Sequence, residues 1–215
     1  MARLEFYRRF TNGMTVQLLQ THFAVSVCAI SGVLAGSGKR VDLFGVIVLG
    51  LVTALGGGTI RDVILGNQVF WLSDPAMVIN GVITAAMTFF VARYWVVPPL
   101  VLALADAFGL ALFTALGAAI GWKAGVGITN SVVLGVITGV AGGILRDVLV
   151  GEIPFVFRRE IYLYATAAVV GASIYVLLQQ FRGDQDLHRV IGVAVALALR
   201  LAAIRWKVSL PLFPK

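Results

Sequence analysis

Long apolar runs, each near 20 residues, alternate along this chain with short polar or proline-containing breaks. A run of about 20 mostly apolar residues is what an α-helix needs to cross the roughly 30 Å hydrocarbon layer of a bilayer. The pattern predicts seven membrane helices, at 16–38, 43–66, 75–95, 99–121, 128–150, 161–181 and 187–206. The breaks carry recognisable signals. Gly38, Lys39 and Arg40 end the first helix, and Ser73, Asp74 and Pro75 open the third, proline being tolerated at a helix start. Pro98 and Pro99 part the third from the fourth, and Gly183, Asp184 and Asp186 part the sixth from the seventh. The charged start (Arg3, Arg8, Arg9) leads into an apolar run too long for a cleaved signal peptide, so a retained first span is expected.

Composition points the same way. Of 215 residues 60% are hydrophobic and 13% charged, against about 25% charged in a soluble domain. The spans leave no room for a separate soluble domain, so one transmembrane unit, 1–215, is expected. The formal charge of +7 belongs to loop and helix-end residues near lipid headgroups; no basic soluble face is left for nucleic acid. The lone cysteine, Cys28, lies in an apolar stretch and reads as a packing residue.

The chain also repeats itself. With an offset of 85, residues 45–66 fall on 130–151 without a gap, and 10 of the 22 positions are identical. The identities include Gly57/Gly142, Gly58/Gly143, Arg61/Arg146, Asp62/Asp147 and Gly66/Gly151, a shared GGxxRDVxxG. The same offset pairs Gly32 with Gly117 and Gly36 with Gly121. The unit is therefore three helices, 16–95 and 99–181, with 187–206 left over as the seventh. Three is odd, so the second unit must enter the membrane inverted, as in many transporters and some channels, whose sites lie between the halves. Leaving out Arg61 and Arg146, six Lys or Arg fall on the N-terminal side (Arg3, Arg8, Arg9, Lys123, Arg182, Arg189). Nine fall on the other (Lys39, Arg40, Arg93, Arg158, Arg159, Arg200, Arg205, Lys207, Lys215), which predicts a cytoplasmic C-terminus.

Two features carry candidate chemistry. Gly56, Gly57 and Gly58, and their counterparts Ala141, Gly142 and Gly143, cost about 1 kcal/mol per glycine in a helix interior. They predict either a kink or an unwound turn, whose freed carbonyls can meet a cation and freed N–H groups an anion, or close helix packing; the doubling favours the break. Arg61-Asp62 and Arg146-Asp147 follow at once. Charges near membrane depth are costly and mark pathways or pairs, or else anchor at the interface. Neighbours on a helix point about 100° apart, so pairing across the pseudo-twofold, or with the broken backbone, is expected rather than Arg61 with Asp62. Asp106, whose partner by the offset is Thr21, reads either as a cation-attracting or proton-linked acid or as a helix cap. Lys39 and Lys123 read as interfacial anchors, or as basic helix ends that bind anionic lipid. Two histidines and one cysteine make no metal cluster, and Gly38-Lys39 lacks the residues of a phosphate loop, so an enzyme is not expected.

The segments KRVDLFGVIVLGLVTALGGGTIRDVILG, VFWL, DAFGLALFTALG and GGILRDVLVGEIP resemble the prokaryotic trimeric intracellular cation (TRIC) channels. The resemblance spans about residues 20–206. It implies seven helices as an inverted three-plus-three repeat plus one, in the inner membrane of a prokaryote. It implies a homotrimer with a pore in each subunit, conducting monovalent cations, chiefly potassium. Kinked second and fifth helices would line the pore, which points to Gly56, Gly57, Gly58, Gly142 and Gly143 with Arg61, Asp62, Arg146 and Asp147. No cofactor is implied beyond permeant potassium or sodium ions, with membrane lipid as a further bound species. An acid expected early in the first helix, to match Asp106, is replaced here by Thr21 and His22. Read from the residues alone, three functions stay open: a passive cation channel, a secondary transporter of a small solute such as glycine, and a lipid-binding scaffold.

Overall fold

The computed structural model describes residues 2–158, 163–181 and 183–207, with side chains from Val16 onward. Every regular element among these residues is helical: α1 (Ala2–Ala35), α2 (Leu43–Ile64), α3 (Phe70–Ser73), α4 (Ala76–Tyr94), α5 (Pro99–Lys123), α6 (Ile128–Leu149), a 3₁₀ turn (Phe155–Phe157), α7 (Tyr164–Leu178) and α8 (Gln185–Trp206). Six are long and apolar enough to cross a membrane, α1 from Val16 onward; α7 is shorter but equally apolar. The expected start of this sixth span, at 161, lies outside the described residues. α1 begins well before the apolar run, at Ala2. The short α3 was not expected.

Helix ends follow local chemistry. Asp42 caps α2 by accepting the Gly45 N–H at 2.8 Å. α2 and α6 end in the same motif. Gly66 and Gly151 take left-handed backbone (φ +65° and +72°), and Asn67 and Glu152 donate their N–H groups back to the Asp62 and Asp147 carbonyls. This Schellman arrangement needs glycine at the turn, which is why the repeat retains it.

The two halves, α1-α2-α4 and α5-α6-α7, form the inverted repeat, and α8 stands outside it. α1 packs on α2, α4 and α5, α6 on α5, α7 and α2, and α8 on α5 and α7. The repeat is visible in single contacts. A Cβ on Gly32 would meet the Thr53 hydroxyl, and one on Gly117 the Thr138 hydroxyl. The glycine stripes of α1 and α5 thus serve close packing within the subunit. Two residues counted as flanking charges, Arg189 and Arg200, are buried.

Candidate functional site

The centre of the site is the crossing of α2 and α6. A Cβ on Gly57 would collide with the Thr138 carbonyl, and one on Gly142 with the Thr53 carbonyl. Numbering advances on one helix as it retreats on the other, so the two are antiparallel. Both helices run unbroken through their glycines. The expected unwound turn is not there, and the packing reading holds instead. In lipid a freed carbonyl finds no water, whereas removing side chains lets two backbones touch. The neighbours are less confined: Gly56 faces the Leu145 side chain, Gly58 the Phe70 ring, and Gly143 the Tyr164 hydroxyl and Asp106.

Beyond the crossing lies a charged cluster at each end. At one, Arg61 Nε donates to Asp62 Oδ1 at 2.8 Å, and the Phe70 N–H donates to Asp62 Oδ2 at 2.9 Å. The Arg61 guanidinium sits 5.6 Å over the Phe70 ring. At the other end every contact recurs 85 residues later. Arg146 Nε donates to Asp147 Oδ1 at 2.8 Å, Phe155 N–H to Asp147 Oδ2 at 2.7 Å, and Arg146 lies 4.5 Å over the Phe155 ring. The expectation that neighbouring Arg and Asp would not pair is therefore wrong. The arginine stem is long enough to fold back over the 100° between them. Pairing across the pseudo-twofold is ruled out by the crossing register. It puts Arg61 level with Leu134, 12 residues and roughly 18 Å of helix rise from Arg146.

The second cluster has more members. Arg146 Nη1 also donates to Asp106 Oδ1 at 2.8 Å and to the Ser31 hydroxyl at 2.5 Å. The Tyr164 hydroxyl donates to Asp106 Oδ1 at 3.3 Å. Arg200 Nη2 stands 3.8 Å from Asp106 Oδ2, with its guanidinium 4.8 Å over the Tyr164 ring. Arg146 is fully buried and Asp106, Asp147 and Arg200 nearly so. Asp106 is thus a buried ion-pair partner, not a cap. Sequence reasoning missed Ser31, Tyr164 and Arg200. A lone arginine inside VAVALALRLAAI was the available signal for Arg200; Ser31 and Tyr164 gave none.

The halves are also tied in a loop region. Lys39 Nζ, from the α1–α2 turn, donates to Glu152 after α6, and Arg158 Nη2 donates to the other Glu152 oxygen at 3.2 Å. The Lys39 ammonium holds the Glu152 carboxyl below its usual range. Lys39 is thus a cross-half partner rather than a lone anchor, while Lys123 reaches Gln17 at 3.3 Å. No group of three His, Cys, Asp or Glu among the described residues is arranged to hold a metal.

A family model described as "Glycine transporter" matches twice, at 18–93 and 103–180, one match to each half. The TRIC channel orthologue from Rhodobacter sphaeroides superimposes with a TM-score of 0.85 at 39% identity, over 90% of this chain and all of that one. The chain belongs to the prokaryotic TRIC family. A second TRIC cation channel structure aligns at TM-score 0.83 and 32% identity, over 92% of this chain and 97% of that one. A TRIC channel from C. elegans, at 18% identity and TM-score 0.63, shares the fold. Among curated relatives, the UPF0126 inner membrane protein YadS of Escherichia coli K12 is 44% identical over 87% of this chain and 91% of its own length. A UPF0126 membrane protein of Vibrio cholerae is 40% identical over 89% and 80%. These relatives and the apolar helices make this TRIC-family member a multi-pass inner-membrane protein.

Proposed function

We propose that the chain forms a homotrimeric channel for monovalent cations, chiefly potassium, with one pathway per subunit between its inverted halves. The observation that carries this reading is the α2–α6 crossing with a buried arginine–aspartate cluster beyond each end. The TRIC neighbours, themselves cation channels by description, support it. The pathway follows Gly56, Gly57, Gly58, Gly142 and Gly143, with Arg61 and Asp62 at one end and Arg146, Asp147 and Asp106 at the other. Backbone contact at Gly57 and Gly142 closes the path in this conformation, and the buried arginines repel cations at each mouth. Opening therefore requires the helices to part and each arginine to swing aside with its aspartate. Phe70 and Phe155 cover the arginines and would move with them. With buried Arg189 and Arg200 set aside, five flanking cations face eight, which supports a cytoplasmic C-terminus.

The test is single-channel recording of the purified protein in a planar bilayer under a potassium gradient without other solute. Unitary steps that reverse at the potassium potential are expected. A silent bilayer with verified insertion would reject the channel, and glycine uptake into proteoliposomes would then test the carrier that the family description suggests.

A further inference from the structure

Asp106 stands between two arginines and serves them unequally. Its Oδ1 accepts from Arg146 at 2.8 Å and from Tyr164 at 3.3 Å. Its Oδ2 is buried, accepts no hydrogen bond among the described residues, and lies 3.8 Å from Arg200 Nη2. That distance is too long for a hydrogen bond but short for two opposite charges out of water. Arg200 also covers the Tyr164 ring, whose hydroxyl binds the same carboxylate. A shift of Arg200 is therefore felt at both Asp106 oxygens.

Among the described residues the first half has nothing equivalent. Asp106 maps to Thr21, Ser31 of the cluster maps to Leu116, and α8 lies outside the repeat. Arg61 consequently has one carboxylate among the described residues, while Arg146 has two, one of them shared with α8.

Resting on the gating reading above, we propose that Arg200 is a positioning residue for the Arg146 end of the pathway. It competes for Asp106, so the placement of α8 sets how firmly Arg146 is held. Two cations drawing on one carboxylate each weaken the other's grip, and the two guanidinium groups repel. When α8 brings Arg200 within hydrogen-bond reach of Oδ2, Asp106 divides its charge between two guanidinium groups, and Arg146, still on Oδ1, is held less firmly and is freer to leave the path. When α8 withdraws, Arg146 is held by both acids. While Arg200 stays within the cluster, two arginines share two aspartates, so a change in how Asp106 is divided between them strands no buried charge, the costly outcome in such a site. One end of the pathway thereby acquires a controlling helix that the other lacks.

The experiment compares Arg200→Gln, Arg146→Gln and the double variant in potassium bilayer recordings, with Arg200→Lys as the charge-keeping control. Arg200→Gln should lower open probability by at least about threefold, the size of coupling expected between residues sharing a partner. Arg200→Lys should restore part of the loss, and in the Arg146→Gln background Arg200→Gln should change nothing. An equal effect of Arg200→Gln in both backgrounds, or none in either, would overturn the proposal. Melting of the detergent-solubilised proteins decides the same point without current. Arg146→Gln should lower Tm by roughly 2–4 °C more in the Arg200→Gln background than in the parent, because Arg146 is then Asp106's remaining guanidinium within the cluster. Equal losses would again count against competition. A silent parent channel would reject the conduction reading alone, since the melting comparison stands by itself.

Discussion

Gly57 and Gly142, 85 residues apart and equivalent in the repeat, lie back to back where α2 crosses α6. A Cβ on Gly57 would stand 3.4 Å from the Gly142 amide nitrogen, and much closer to the Thr138 carbonyl. The obstacle is backbone on both sides, so neither helix can yield without moving as a whole. In a free helix glycine to alanine gains about 1 kcal/mol. Here overpacking should reverse that sign, and Gly57→Ala and Gly142→Ala should each cost about 1–3 kcal/mol. Gly56→Ala meets only the end of the flexible Leu145 side chain, so its thermal stability in detergent should stay near the parent's. Three equal melting temperatures would refute the crossing geometry.

The unequal pairing of the arginines predicts unequal damage. Asp62→Asn takes from Arg61 its one carboxylate among the described residues, leaving a buried unpaired charge. That should cost about 3–5 kcal/mol. Asp147→Asn leaves Arg146 paired with Asp106, so its loss should be distinctly smaller. Thermal unfolding of the two variants side by side gives the answer, and the reverse order would contradict the pairing.

Conduction supplies a third check. If Arg61 and Arg146 bar the pathway to cations, Arg61→Gln and Arg146→Gln should each raise open probability several-fold while potassium selectivity persists. Gating unchanged in both variants would remove the arginines from the gate.

The Lys39–Glu152 contact predicts a dependence on acidity. The Glu152 carboxyl is held below its ordinary value of 4.5, chiefly by the Lys39 hydrogen bond. A lowered carboxyl stabilises the folded state above the ordinary value, and that contribution disappears as pH falls through the lowered one. Between about pH 5 and 3 the parent should therefore lose a small increment of Tm that Lys39→Gln does not. Both groups are exposed, so 1 M salt should shrink the difference. A parent and variant that fall in parallel would show the contact to be inert.

The seven spans, their odd-numbered repeat and hence the inversion were legible in the sequence alone. These depend on local matters: hydropathy over about 20 residues, prolines at helix starts, and a motif recurring at a fixed offset. Even the Schellman ends were implicit in Gly66 and Gly151. The state of the glycine clusters was not, because GGG in α2 fits a close crossing as well as an unwound turn, and its doubling in the repeat pointed to the turn. Only the backbone of another helix at Thr138 and Gly142 decides between them. Nor was the pairing of the charges legible. The 100° between neighbours argued against Arg61 with Asp62, but that angle describes Cβ directions, and a guanidinium on a long stem can bend back when lipid offers no better partner. Arg146 gathers Ser31, Asp106, Asp147 and Tyr164, and with them Arg200, from five stretches of the chain. Hydropathy places each of these in a membrane helix, but which of them meet depends on how the helices rotate and cross, a property of the packed bundle that no local stretch of sequence contains.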